Sequence, residues 1–197
     1  MLINGEWTDA RSGSSFEVLN PATGESIGSV ADGGAEDALL AIAAAHDAFK
    51  SWSKTTAYER SAVLYRAWEI MVSRSDELAQ LMTVEQGKPL KAAKAEVKYA
   101  SDFLLWFAEE AKRVVGEWLP SQRPDQRFLS VKVPVGVVAA ITPWNYPISM
   151  LTRKIGPALA AGCTVVLKPA EATPLCAKAT LDVLTDAGLP HGVLNMV

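Results

Sequence analysis

The spacing of apolar residues changes along the chain, and each change predicts a new kind of element. Over residues 1–30, short extended pieces alternate with turn signals. Asn4-Gly5 predicts a hairpin, and Asn20-Pro21-Ala22-Thr23-Gly24 predicts a turn ahead of a strand over Ser26–Val30. These pieces read as an edge hairpin or cap. From Ala35 the period becomes helical, with Leu39, Ile42, Ala43 and Phe49 on one face, and further helices follow over Tyr58–Ser73, Ser75–Gln86 and Pro89–Val115. Gly87 and Gly116 supply stop signals for two of them. The longest helix is charged on one side through Lys91, Lys94, Glu96 and Lys98, and the cluster Phe103, Leu104, Trp106 and Phe107 is expected to lie in the core.

Residues Leu119–Pro134 break this rhythm. Pro120, Pro124 and Pro134 bracket the alternating stretch Phe128–Val133, which predicts a projecting strand or arm. Beyond it come an apolar strand over Val135–Ile141, a helix over about Ile148–Ala161, a strand over Thr164–Leu167, a helix over Pro174–Ala187 and a third strand over Val193–Val197. Strands that are apolar on both sides and separated by helices form βαβα units on a parallel sheet covered on both faces. The expected fold class is therefore α/β: an N-terminal helical region plus the first βαβα units of a doubly wound parallel sheet. The expected divisions are 1–118 for the hairpin and helices, 119–134 for the arm and 135–197 for the sheet.

A hydrophobic content of 49% over 197 residues can fill a sizeable core. The net charge of -3 gives no basic stripe, which argues against nucleic acid or an anionic membrane as partner. Two cysteines, Cys163 and Cys176, both in the apolar C-terminal third, argue for a reducing compartment. The start of the chain has no signal-like segment and no apolar run is long enough to cross a bilayer, so a cytoplasmic location is expected. His46 and His191 have no cysteine or carboxylate at metal spacing, so no metal site is expected.

In a doubly wound sheet, ligands lie beyond the carboxyl ends of the strands, which directs attention to the loops Thr142–Pro147 and Lys168–Pro174. In the first, Pro143 and Pro147 enclose Asn145. That asparagine either is held toward a bound group or caps the next helix. In the second, Glu171 occupies the position at which an acid accepts hydrogen bonds from the ribose of an adenine dinucleotide, and its charge opposes a 2′-phosphate, favouring NAD over NADP. Lys168 either bonds the same ribose or is a solvated surface lysine. No G-x-G-x-x-G follows the first strand, so an ordinary pyrophosphate loop is not encoded.

The stretch Val133–Pro174, with Ile141-Thr142-Pro143-Trp144-Asn145-Tyr146-Pro147 and Gly156–Pro169, resembles the aldehyde dehydrogenase superfamily. Asn20–Glu25, Glu85-Gln86-Gly87-Lys88-Pro89 and Trp106–Arg113 resemble it too, most of all its succinate-semialdehyde dehydrogenase branch, and the likeness spans essentially the whole chain. The resemblance implies NAD(P)-dependent oxidation of an aldehyde, here succinate semialdehyde, through a thiohemiacetal on a cysteine. It also implies an oxyanion-hole role for Asn145, ribose contacts for Lys168 and Glu171, and cofactor contacts for Ile141, Thr142 and Trp144. Arg153 resembles a clamp for the substrate's distal carboxylate, with an ordinary surface ion pair as the competing reading. A homo-oligomer joined through the arm is implied for the parent enzyme.

The family's nucleophile and general base lie downstream of the lysine-proline loop, so the catalytic domain is expected to be missing and the 197-residue chain to be inactive alone. Cys163 and Cys176 read as structural. A truncated sheet is expected to expose an apolar edge. The competing functional class is a non-catalytic nucleotide-binding or oligomerising module.

Overall fold

The computed structural model describes residues 1–197. Strands β1 (Leu2–Ile3) and β2 (Glu6–Trp7) meet at Asn4-Gly5, where both residues take left-handed backbone angles, φ 52° and 83°. That pair is what a tight two-residue hairpin requires. Strands β3 (Ser15–Leu19) and β4 (Ser26–Ala31) form a separate antiparallel ladder, closed where the Asn20 side chain accepts the N–H of Ala22 at 2.9 Å.

Four helices follow: α1 (Ala35–Trp52), α2 (Ala57–Ser73), α3 (Ser75–Gln86) and α4 (Leu90–Glu110). At the start of α2, Thr56 and Glu59 exchange the reciprocal bonds of a capping box. α3 ends on Gly87 at φ 77°, the left-handed closure for which glycine is suited. α4 stops earlier than its apolar rhythm suggested. It tightens into a 3-10 turn over Ala111–Arg113, and Gly116 lies beyond it in the arm.

The arm is a two-stranded ribbon of β5 (Glu117–Leu119) and β6 (Phe128–Ser130), whose residues are all exposed. Its second strand is shorter than the alternating stretch. The remaining elements are β7 (Val137–Ile141), α5 (Ser149–Ala160), β8 (Thr164–Lys168), α6 (Pro174–Asp186) and β9 (Leu194–Met196). The main sheet has the order β2-β1-β9-β8-β7, with β7, β8 and β9 parallel and β1 antiparallel to β9. The N-terminal hairpin thus forms one edge of the sheet and β7 the other. At the β7 edge Ile141 is 67% exposed and the preceding Val135 is 89% exposed.

Both faces of the sheet are covered, as expected of this α/β class. Val166 faces α1 and packs with Ala41 and Ala45, whereas its neighbours Val165 and Leu167 face the large core shared with α2–α6. On α1 the face that meets the sheet is the alanine face. Leu39 and Ile42 point to solvent, the reverse of the apolar face read from the sequence. Small side chains allow the close approach at which the Thr164 hydroxyl donates to the Ala45 carbonyl oxygen at 2.9 Å. Two readings of α4 are likewise corrected. Leu104 is buried and Phe103 and Phe107 are partly so, but Trp106 is exposed. Glu96, placed by spacing on a charged surface, is buried at 3% exposure. No helix is long and apolar enough to cross a membrane.

Candidate active site at the strand ends

Parallel pairing of β7 with β8 puts Ile141 opposite Lys168, and the Thr142 N–H donates to the Lys168 carbonyl oxygen at 3.2 Å. The two loops singled out by sequence therefore leave the sheet side by side. Thr142 is buried, whereas Ile141, Trp144 and Asn145 are exposed beside it. The Asn145 side chain does not cap α5. That helix starts at Ser149, with Ile148 at the N-cap position offering no cap bond of its own, and the Asn145 amide makes no hydrogen bond within the chain. An exposed, unengaged amide donor at a strand end is free to serve a ligand.

The loop after β8 brings Lys168 and Glu171 together as an ion pair, and the hydrogen bond from the Lys168 ammonium is the main influence that holds the Glu171 carboxyl below the usual carboxylate range. Both line a 310 Å³ cavity with Phe16, Val30 and Lys178. A cation donor adjoining a carboxylate acceptor matches a vicinal diol, which both accepts and donates.

Arg153 lies one turn into α5. Its guanidinium has no carboxylate partner. It donates to the Tyr99 phenol oxygen at 2.8 Å and lies 5.0 Å from the Phe103 ring centroid. The surface ion pair is therefore not formed. With Lys88, Tyr146 and Met150 it lines a 410 Å³ cavity between α4 and α5, in which the buried Ser149 hydroxyl has no partner.

The residues that hold these loops were not evident from the sequence. The Glu96 carboxylate accepts the N–H groups of Ile148 at 3.1 Å and Ser149 at 3.2 Å, capping α5 from another helix. Glu85 does the same for α6, accepting from Leu175 at 2.5 Å and Cys176 at 2.8 Å. Burial pushes the Glu85 carboxyl up, and the bonds from Cys176 and Leu175 pull it partly back. Lys88 pairs with Glu96 and donates to the Asn145 carbonyl oxygen at 2.9 Å, while the Gln86 amide donates to the carbonyl oxygens of Trp144 and Asn145, each at 3.0 Å. The only signal available in the sequence was the family-like run Glu85–Pro89.

Both cysteines are buried and free, Cys163 at 3% and Cys176 at 0% exposure. Burial, reinforced by the adjacent Glu85 carboxylate, pushes the Cys176 thiol far up. Neither thiol is accessible to a substrate.

The sheet topology, the strand-end loops and the arm together define an α/β scaffold built on a parallel sheet. The sequence profile of the aldehyde dehydrogenase family matches residues 7–197, and the chain belongs to that family. It is 55% identical over 195 residues to glutarate-semialdehyde dehydrogenase of Pseudomonas putida, covering 99% of this chain and 41% of that protein. It is 52% identical over 196 residues to the NADP(+) succinate-semialdehyde dehydrogenase of Escherichia coli, covering 100% and 41%. The solved succinate-semialdehyde dehydrogenase of Burkholderia pseudomallei superposes at a TM-score of 0.98 with 52% identity, over 100% of this chain and 41% of that one. Betaine aldehyde dehydrogenase from Staphylococcus aureus, solved with NAD+, superposes at 0.96 with 37% identity, over 100% and 40%. The chain spans about two fifths of the length of these relatives.

Proposed function

We propose that residues 1–197 act within an NAD(P)-dependent aldehyde dehydrogenase that oxidises a semialdehyde bearing a distal carboxylate, with succinate semialdehyde as the first substrate to test. The observation that carries this reading is a free Asn145 amide on the loop that leaves the sheet beside the loop of the Lys168–Glu171 pair, followed in α5 by an Arg153 that has no carboxylate partner and lines a separate cavity. The Asn145 amide donates to the oxyanion that develops when a thiolate attacks the aldehyde carbon, and one such donor lowers the barrier by about 2.7–4 kcal/mol. Arg153 holds the distal carboxylate, for which a guanidinium offers paired donors.

Lys168 and Glu171 hold the adenosine ribose through its hydroxyls, and Ile141, Thr142 and Trp144 form the strand end beside the cofactor. The nicotinamide, when bound, supplies the hydride acceptor. Glu171 favours NAD because a 2′-phosphate would bring like charge against it. The arm, with Trp118 67% and Leu129 69% exposed, joins subunits in a homo-oligomer. The domain divisions 1–118, 119–134 and 135–197 follow from the same reading.

The test joins residues 1–197 to the part of the E. coli relative that follows the matched region, and follows reduced-nucleotide formation with succinate semialdehyde. The expected result is turnover that falls about 100-fold or more in Asn145→Ala. Arg153→Met is expected to raise KM for the carboxylate-bearing aldehyde while sparing an uncharged aldehyde of equal length. A hybrid that folds and binds nucleotide but oxidises no aldehyde sinks the reading. A second reading, a non-catalytic nucleotide-binding or oligomerising module, is favoured by the burial of both thiols and the exposed arm. Nucleotide binding by that same inactive hybrid would support it.

A further inference from the structure

The loop Thr142–Pro147 cannot fix its own central residues. Pro143 and Pro147 set their own φ angles, but the carbonyl oxygens of Trp144 and Asn145 find their partners in another part of the chain. Those partners are Gln86 and Lys88, which flank Gly87. The left-handed turn at Gly87 reverses the chain after α3, so that residues on both sides of it reach the same loop. Gln86 directs its amide N–H groups to two successive carbonyl oxygens, and its own Oε1 is left buried without a partner. Lys88 is anchored at the other end, its side chain 14% exposed, by the 1% exposed Glu96, and its ammonium lies 4.2 Å from the Tyr146 ring centroid. Glu96 then grips the next two backbone N–H groups, those of Ile148 and Ser149. Backbone groups of 144, 145, 148 and 149 and the Tyr146 ring are thus held by three side chains from α3, α4 and their connection.

We propose that Gln86, Lys88 and Glu96 form a positioning clamp for Asn145: they touch no reacting atom, but they set the backbone from which its amide is aimed. The clamp rests on the reading of Asn145 as the oxyanion donor. A donor aimed at charge that exists only in the transition state acts on kcat and leaves ground-state binding alone. A small displacement of that donor is enough to lower turnover.

Gln86→Met and Lys88→Met keep side-chain length and remove the donors, with Lys88→Arg as the conservative rescue. In the 197-residue chain, amide hydrogen exchange over 142–150 is expected to quicken about tenfold or more in both Met variants, while that over 174–177 stays unchanged. In the hybrid enzyme, kcat is expected to fall about 10- to 100-fold with KM for both substrates unchanged within twofold, and Lys88→Arg to recover most of the loss. Unchanged exchange over 142–150 overturns the clamp, as does an unchanged kcat where Asn145→Ala is severely impaired. If Asn145→Ala is silent while exchange still quickens, the clamp on the loop stands and the oxyanion reading falls. Should Gln86→Met fail to fold, Gln86→Glu, which keeps the shape and removes the donors at neutral pH, carries the same readouts.

Discussion

The Glu85 carboxylate near the end of α3 accepts the backbone N–H of Cys176 in the first turn of α6, at 2.8 Å and across 91 positions of sequence. Thr173, the residue at the N-cap position of α6, makes no side-chain cap bond, so the orphan amides of this helix depend on Glu85. Glu85→Ala is expected to destabilise the chain by about 1–3 kcal/mol through the unsatisfied donors alone, measured by urea unfolding.

The same residue sets a pH dependence. Its carboxyl is raised above the ordinary value of 4.5, chiefly by burial. Between 4.5 and that raised value the folded chain keeps a proton that the unfolded chain has released, so this group's contribution to stability falls as pH rises across the window. Unfolding free energies measured against pH should therefore decline more steeply over that window in the native chain than in Glu85→Gln. Parallel profiles would contradict the assignment.

Glu171 is expected to govern the choice of nucleotide. Glu171→Gln removes the negative charge beside Lys168 and should raise the ratio of NADP to NAD kcat/KM in the hybrid by about tenfold, the equivalent of 1.4 kcal/mol. An unchanged ratio would place the 2′ position elsewhere.

The buried thiols make a simple chemical prediction. In the native 197-residue chain neither Cys163 nor Cys176 should react with an aromatic disulfide reagent on the minute timescale, and both should react in denaturant. Aldehyde-dependent NADH formation by the chain alone is expected to be absent. Its appearance would require a nucleophile that these two residues do not provide.

Gly116 should control the arm. A Cβ there would lie 2.1 Å from the Ser130 carbonyl oxygen, a backbone atom that cannot swing aside. Gly116→Ala is expected to separate β5 from β6, seen as faster amide exchange over 117–130, and to weaken self-association of the hybrid by sedimentation.

The sequence by itself determined the order and type of the elements. Continuous apolar strands, helical periods and Gly/Pro punctuation are local signals, and Asn145, Lys168 and Glu171 could be placed at strand ends because parallel βαβ units put those ends together. It did not determine which face of α1 meets the sheet. Spacing favoured Leu39 and Ile42, but close packing on Val166 selects Ala41 and Ala45, since a helix approaching that near has no room for larger side chains. Nor did it reveal Glu85 and Glu96. A charged residue in a polar helical stretch reads as solvated, and only the meeting of α3 and α4 with the N-termini of α6 and α5 supplies the backbone donors that offset part of the cost of burying a carboxylate. Those donors are spread over distant segments, so the support beneath the candidate site exists only once the tertiary structure has formed.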